Sequence, residues 1–202
     1  MSRTMSRRDF VKTTGAAFAI PAIVPASVLG RQDTPPSERI TVGVIGVGYQ
    51  ARGHLNMLIR HPDTKVLAVC EVDQKRREHA KHTVEEWYSD DKEYKGCAAY
   101  VDFRDLIARD DLDAVCITTP VHWHAVCAIQ AAVAGKDIYC EKPMTLTIAE
   151  GRAMVEAVQR YNVVFQTGTQ RRSSQTYRFI CELIRNGRIG KLQKALVGIG
   201  LN

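Results

Sequence analysis

Ile40-Thr41-Val42-Gly43-Val44-Ile45-Gly46-Val47-Gly48-Tyr49-Gln50-Ala51 is the stretch on which the fold turns. Its first half, Ile40 to Ile45, is β-branched and uncharged, which predicts a strand buried in a parallel sheet. It runs directly into Gly46-x-Gly48-x-x-Ala51 and then into the helical spacing Leu55, Leu58, Ile59. A strand, a glycine turn and a helix in that order form the dinucleotide-binding fingerprint, here as G-x-G-x-x-A. Each small residue has a physical task. Gly46 permits the tight turn, Gly48 lets a pyrophosphate approach the backbone, and Ala51 lets the helix pack against the strand. Tyr49 and Gln50 open that helix, whose free N–H groups and partial positive charge would face the phosphates.

A second strand, Lys65 to Cys70, ends in Glu71-Val72-Asp73. Glu71 lies 23 positions after Gly48, close to the offset of the carboxylate that accepts hydrogen bonds from the adenosine ribose hydroxyls. Asp73 is the second choice for that role. A carboxylate there repels the 2′-phosphate of NADP, and no basic residue follows Glu71 before Lys75, so NAD is the expected cofactor. The βα alternation then continues. Asp73 to Tyr88 reads as a charged amphipathic helix and Ser89 to Gly96 as a polar loop. Ala98 to Val101 is a short strand, and Asp102 caps a small helix ending near Arg109. Asp113 to Thr118 is another buried strand, followed by a helix from Val121 to Ala134 closed by Gly135. Asp137 to Cys140 is the next strand, Thr147 and Glu150 form a capping box opening a helix to Arg160, and Val163 to Thr167 is the last strand of the unit. The prediction is a doubly wound parallel α/β sheet of the Rossmann type over residues 40–168.

Three strand ends carry further polar residues where such sheets bind ligands: Thr118-Thr119-Pro120-Val121-His122-Trp123-His124, Glu141-Lys142-Pro143 and Gly168-Thr169-Gln170-Arg171-Arg172. A strand ending in Thr-Pro with a nearby His, followed about twenty residues later by Glu-Lys-Pro, resembles the Gfo/Idh/MocA oxidoreductases. The stretch Arg185-Asn186-Gly187-Arg188-Ile189-Gly190-Lys191 is similar to members of that family as well, so the resemblance runs from Ile40 to the end of the chain. It implies that Lys142 reaches substrate and nicotinamide and that Glu141 belongs to the same cofactor loop. It further implies that Thr119, Pro120 and His122 form the nicotinamide-side loop. The sequence departs from the pattern at Val121, where Asn or Asp is usual, and His124 is the alternative contact at that helix start. Trp123 reads as a packing residue. An ammonium at Lys142 would polarise a carbonyl or stabilise a forming alkoxide.

The first thirty residues read differently. Arg3, Arg7, Arg8 and Lys12 against the single acid Asp9 carry half of the formal net charge of +6. Ser6-Arg7-Arg8-Asp9-Phe10-Val11-Lys12, then an uncharged apolar run from Thr13 to Gly30, resembles a twin-arginine export signal. Export by that route would place the protein in the periplasm or cell envelope, already folded and with cofactor bound. Pro21 and Pro25 interrupt the run, which argues against a stable membrane span, and Val24-Pro25-Ala26 approximates a cleavage site. Residues 31–39, with Pro35-Pro36, read as a linker.

Composition excludes several classes. Of the 202 residues 45% are hydrophobic and 25% charged, an ordinary globular balance. No dense Lys/Arg stripe follows the leader, so nucleic acid is not an expected partner. The six cysteines include no C-x-x-C pair, so no metal site is expected, and they sit in apolar patterns that predict unpaired, mostly buried thiols. The resemblance implies a second, α+β domain carrying an acid/base histidine, and a homo-oligomeric full-length relative. No Asp-x-x-x-His pattern follows Glu141, and Lys194 to Gly200 reads as the first strand of that domain's sheet. Residues 169–202 are therefore expected to be a connecting helix and the start of a truncated substrate domain. The expected activity is hydride transfer between a sugar or polyol and NAD, with this chain as its nucleotide-binding part. An NAD-dependent glycoside hydrolase of the same superfamily and a non-catalytic dinucleotide-binding fragment are the alternatives.

Overall fold

The computed structural model describes residues 38–198, so the expected export signal, most of the expected linker and the last four residues lie outside the described residues. The glycine turn follows directly from β1 (Ile40–Ile45) and leads into α1 (Tyr49–Arg60). Five further strands follow, each reached by a crossover: β2 (Thr64–Cys70), β3 (Ala98–Tyr100), β4 (Ala114–Ile117), β5 (Asp137–Glu141) and β6 (Phe165–Gly168). The intervening helices are α2 (Gln74–Trp87), α3 (Phe103–Ile107), α4 (Val121–Val133) and α5 (Ile148–Tyr161). A short 3-10 turn (Gln170–Ser173) and α6 (Gln175–Arg185) complete the order. All pairings are parallel and the strand order is β3-β2-β1-β4-β5-β6. The chain reverses direction across the sheet between β1 and β4, so a crevice opens there beyond the strands' carboxyl ends.

Strand period explains why both faces are apolar. On β1, Val42 and Val44 point into one core layer, with Leu55, Val66, Val69 and Val84, while Ile45 points into the other, with Leu106, Ile117 and Met154. Both layers are covered by helices, as a parallel sheet requires. Gly43 belongs to the second face. A Cβ there would sit 2.6 Å from the Leu106 side chain, so the missing side chain lets α3 pack directly on β1.

The local signals set the boundaries. Asp73 and Asp102 cap α2 and α3 by accepting the Arg76 and Arg104 backbone N–H groups. The Thr147/Glu150 capping box opens α5 with both reciprocal bonds made. Gly135, at φ +72°, ends α4. β6 starts two residues later than predicted. The Val163 N–H still bonds back to Val158 beside the left-handed Asn162, and the Val164 N–H is taken by the Asp137 carboxylate. All six cysteines are free thiols, five of them buried and Cys181 exposed.

The predicted strand from Lys194 does not form through Gly198, the last residue described. A strand is held by ladder bonds to a neighbour, and no described strand lies beside this segment. Among the described residues no helix is long and apolar enough to cross a membrane.

Candidate functional site

A cleft of about 620 Å³ lies over the carboxyl ends of β1, β2 and β4. Its walls come from four turns: the glycine turn, the turn after β2, the turn after β3 and the Thr-Pro turn after β4. Of the residues predicted from sequence, Gly46, Gly48, Tyr49, Gln50, Glu71, Thr119 and Pro120 line it.

Backbone geometry explains the glycines. Gly46 has φ +82°, and a Cβ there would stand 2.8 Å from the Thr119 backbone nitrogen. The turn after β1 and the turn after β4 therefore touch backbone to backbone, and Thr118 Oγ1 bonds the Gly46 carbonyl across that contact. Gly48 is different. A Cβ there would meet only the Arg76 Nη1, at 3.8 Å, so the space above it is free for a ligand. Gly48 is also the N-cap of α1, which has no side-chain cap and no acid in its first turn. The amides of that turn are thus left to an anion. Ala51, 1% exposed, packs beneath them in the core.

Glu71 closes the turn from the other side. Its Oε2 accepts the Val47 N–H at 3.0 Å and its Oε1 the Asp73 N–H at 3.1 Å, so the carboxylate is fixed at the cleft edge. Two bonds leave it lone pairs for ribose hydroxyls. Asp73, the second choice for that role, is committed to capping α2.

The structure adds residues that the sequence reading passed over. Arg76, on the first turn of α2, reaches into the cleft and makes no ion pair among the described residues. Arg104 lines the cleft too, paired with Asp102 at 2.9 Å. The Arg104 backbone N–H, then its guanidinium, hold the Asp102 carboxyl below the usual carboxylate range. Trp123, read as a packing residue, is part of the wall and meets Phe103 edge-on at 6.3 Å. Cys70 and Cys127 lie at the floor, and burial pushes both thiols up to about 12. Arginine side chains that enter by tertiary packing leave no signal in local spacing, which is why these were missed.

Three predicted contacts fall outside the cleft wall: His122, Glu141 and Lys142. His122 is exposed on α4 with its ring against Trp123, outside the cleft wall, because the helical turn that points Trp123 at the cleft points its neighbour away. Glu141, 3% exposed, turns into the protein instead of toward the cleft. Its Oε1 lies 2.6 Å from His54 Nε2 and also accepts from Gln170 Nε2. Its Oε2 accepts the Lys142 N–H at 2.9 Å. A buried carboxylate needs such partners. Lys142 itself is exposed at the carboxyl end of β5, and its bond to Pro143 is cis. His124 is buried, with Nδ1 2.8 Å from the Pro143 carbonyl and Nε2 2.8 Å from the Thr119 carbonyl.

Residues 40–169 match the family model described as "Oxidoreductase family, NAD-binding Rossmann fold". The chain belongs to the Gfo/Idh/MocA oxidoreductase family. An oxidoreductase of uncharacterized function from Bacillus subtilis is 30% identical over 154 residues, covering 76% of this chain and 42% of the relative. A glycosyl hydrolase family 109 protein from Shewanella baltica is 30% identical over 171 residues, covering 76% of this chain and 37% of its own length. Among solved structures, myo-inositol 2-dehydrogenase from Lactobacillus plantarum superposes with a TM-score of 0.65 at 29% identity, over 76% of this chain and 43% of that one. Scyllo-inositol dehydrogenase from Lactobacillus casei, solved with NAD(H) and scyllo-inositol, gives 0.64 at 28% identity over 75% and 42%. The chain spans less than half the length of these relatives.

The cleft fits the family's cofactor. Gly46, Gly48, the uncapped start of α1 and Glu71 meet the requirements of a pyrophosphate and a ribose diol. Thr119 adds a buried hydroxyl with no hydrogen-bond partner among the described residues, in a wall that a nicotinamide would face. This Rossmann unit is an NAD-binding domain.

Proposed function

We propose that the chain is the nucleotide-binding part of an oxidoreductase that moves hydride between a sugar or polyol and NAD. The observation that carries the reading is the convergence of Gly48, Glu71 and the Thr119-Pro120 turn on one cleft, with Lys142 just past the end of β5, the strand next to β4. Bound nicotinamide supplies the hydride acceptor or donor. The first turn of α1, with Arg76 above it, holds the pyrophosphate. Glu71 accepts the adenosine ribose hydroxyls and disfavours a 2′-phosphate, hence NAD over NADP. Lys142 presents an ammonium to the reacting oxygen and stabilises its negative charge. Inositol dehydrogenases among the solved relatives support a polyhydroxy substrate.

Binding and turnover separate in this chain. Hydride transfer from an alcohol also needs a proton acceptor within hydrogen-bond reach of the hydroxyl. His54 and His124 are buried and bonded, and His122 stands outside the cleft wall. The 202 residues are therefore expected to bind NAD and to give no steady turnover. Incubating the purified chain with NAD and a panel of sugars and polyols, and following absorbance of the reduced cofactor, tests this. A flat trace agrees with the proposal, and steady accumulation contradicts it.

The second reading is a glycoside hydrolase that uses NAD transiently, favoured by the Shewanella baltica relative. A longer protein carrying this domain would then release an aglycone with no net reduced cofactor. The leader is proposed to direct export by the twin-arginine route, from Arg7-Arg8, Phe10 and Lys12. Replacing both arginines by lysine should retain the protein inside the cell, and unchanged export would contradict that.

A further inference from the structure

We propose that His54 and His124 are positioning residues for Lys142, gripping the Lys142–Pro143 turn from its two sides. The inference rests on the reading of Lys142 as the nicotinamide-side ammonium. Lys142 is exposed at a strand end, where a long flexible side chain has no fixed direction of its own. What can be fixed is the backbone that carries it, and two buried imidazoles act on that backbone.

The grip on the first side runs through Glu141. His54, on α1 and 6% exposed, donates to Glu141 Oε1, and Glu141 Oε2 accepts the Lys142 N–H. Gln170, from the turn after β6, donates to the same Oε1. The carboxylate is thus held from two distant segments, and its free oxygen sets the amide of Lys142. The helix that opens the pyrophosphate site also carries the histidine behind the lysine, five residues along from Tyr49.

The grip on the second side is direct. His124, 1% exposed, sits between the Pro143 and Thr119 carbonyls, each 2.8 Å from one ring nitrogen. Both oxygens only accept, so the ring is the sole donor in the bridge. A neutral ring donates to one at a time and an imidazolium to both. The bridge joins the turn after β5 to the turn after β4, whose Thr119 and Pro120 face the cleft. Lys142 and Thr119 come from different crossovers, and beyond the last β4–β5 ladder pair His124 bridges the two turns through the Pro143 and Thr119 carbonyls.

The consequence concerns one half of the ligand only. Gly48, Glu71 and Arg76 act on the adenosine diphosphate half and owe nothing to either histidine's bonds to Glu141, Pro143 or Thr119. Loosening the grip should therefore spare ADP-ribose, which lacks nicotinamide, and weaken NADH. The full chain is titrated with NADH and with ADP-ribose, before and after His54→Ala and His124→Ala. Each alanine variant should lose about fivefold or more of NADH affinity, the worth of roughly one lost hydrogen bond, while ADP-ribose affinity stays within about twofold. His54→Gln and His124→Asn, which keep a donor, should recover part of the loss. Should an alanine variant fail to fold, these two carry the same comparison.

NADH affinity retained in the variants would overturn the grip. So would equal loss of NADH and ADP-ribose, which marks general loosening of the domain. A failure of the underlying reading looks different. It appears in the unaltered chain, as NADH bound no more tightly than ADP-ribose, and it takes the inference with it.

Discussion

Single residues in this chain act mainly through backbone contacts and burial. Glu71 was legible in the sequence because the glycine turn and the following strand fix its distance along the chain. The structure adds what it bonds, the Val47 and Asp73 amides. Arg76 was not legible. It lies on the face of α2 that meets the glycine turn, and only the packing of α2 beside α1 reveals that. His122 and His124 show the reverse problem. They stand two residues apart on α4, yet helical geometry sends one to solvent and the other into the core. The thiols give a test at this scale. Burial pushes Cys70, Cys97, Cys116, Cys127 and Cys140 up to about 12, so each stays protonated until the pH nears that value. The thiolate is the nucleophile. Iodoacetamide at pH 8 should label exposed Cys181 and leave the other five unlabelled until denaturant is added. Rapid labelling of Cys70 in the native protein would contradict the buried cleft floor.

At the scale of elements, the strands and helices followed from hydrophobic period and caps, with ends moving by a residue or two. The expected strand from Lys194 is the exception. Its apolar run satisfied the local pattern, but a strand is a relation between two segments and the described residues offer no second one. The turn from β1 to α1 makes an opposite point, since it carries its own backbone demands. Gly46 and Gly48 look alike in the motif and differ in what limits them. Alanine at 46 would be strained at φ +82° and would press on the Thr119 backbone, which cannot yield. Gly46→Ala should cost about 1–3 kcal/mol of stability. Alanine at 48 meets one flexible arginine tip at ordinary contact distance, so Gly48→Ala should stay within about 0.5 kcal/mol. Urea denaturation of the two variants checks this. Equal losses would mean that the backbone contact between the two turns is absent in solution.

Across the whole molecule, sheet topology was legible and the site only in part. Parallel order β3-β2-β1-β4-β5-β6 follows from the βα alternation and right-handed crossovers, and it puts the cleft at the one place where the winding reverses. The sequence named residues at three strand ends. The sheet brings the first of them, after β4, into backbone contact with the glycine turn after β1, and it puts Lys142 just past the end of β5, the next strand. The buried bonds that link them, through His54, Glu141, Gln170 and His124, join residues as far as 116 positions apart and leave no periodic trace.

Calorimetry of the purified chain with NAD and NADP reads dinucleotide binding in that cleft. The comparison is made on the unaltered chain and on Gly48→Val, whose branched side chain enters the space left for the pyrophosphate while the backbone there is extended and tolerates it. The predicted result is saturable NAD binding, weaker NADP binding, and loss of roughly tenfold or more of NAD affinity in Gly48→Val with its thermal midpoint unchanged. NAD binding of equal strength in Gly48→Val, or none in the unaltered chain, would contradict the account.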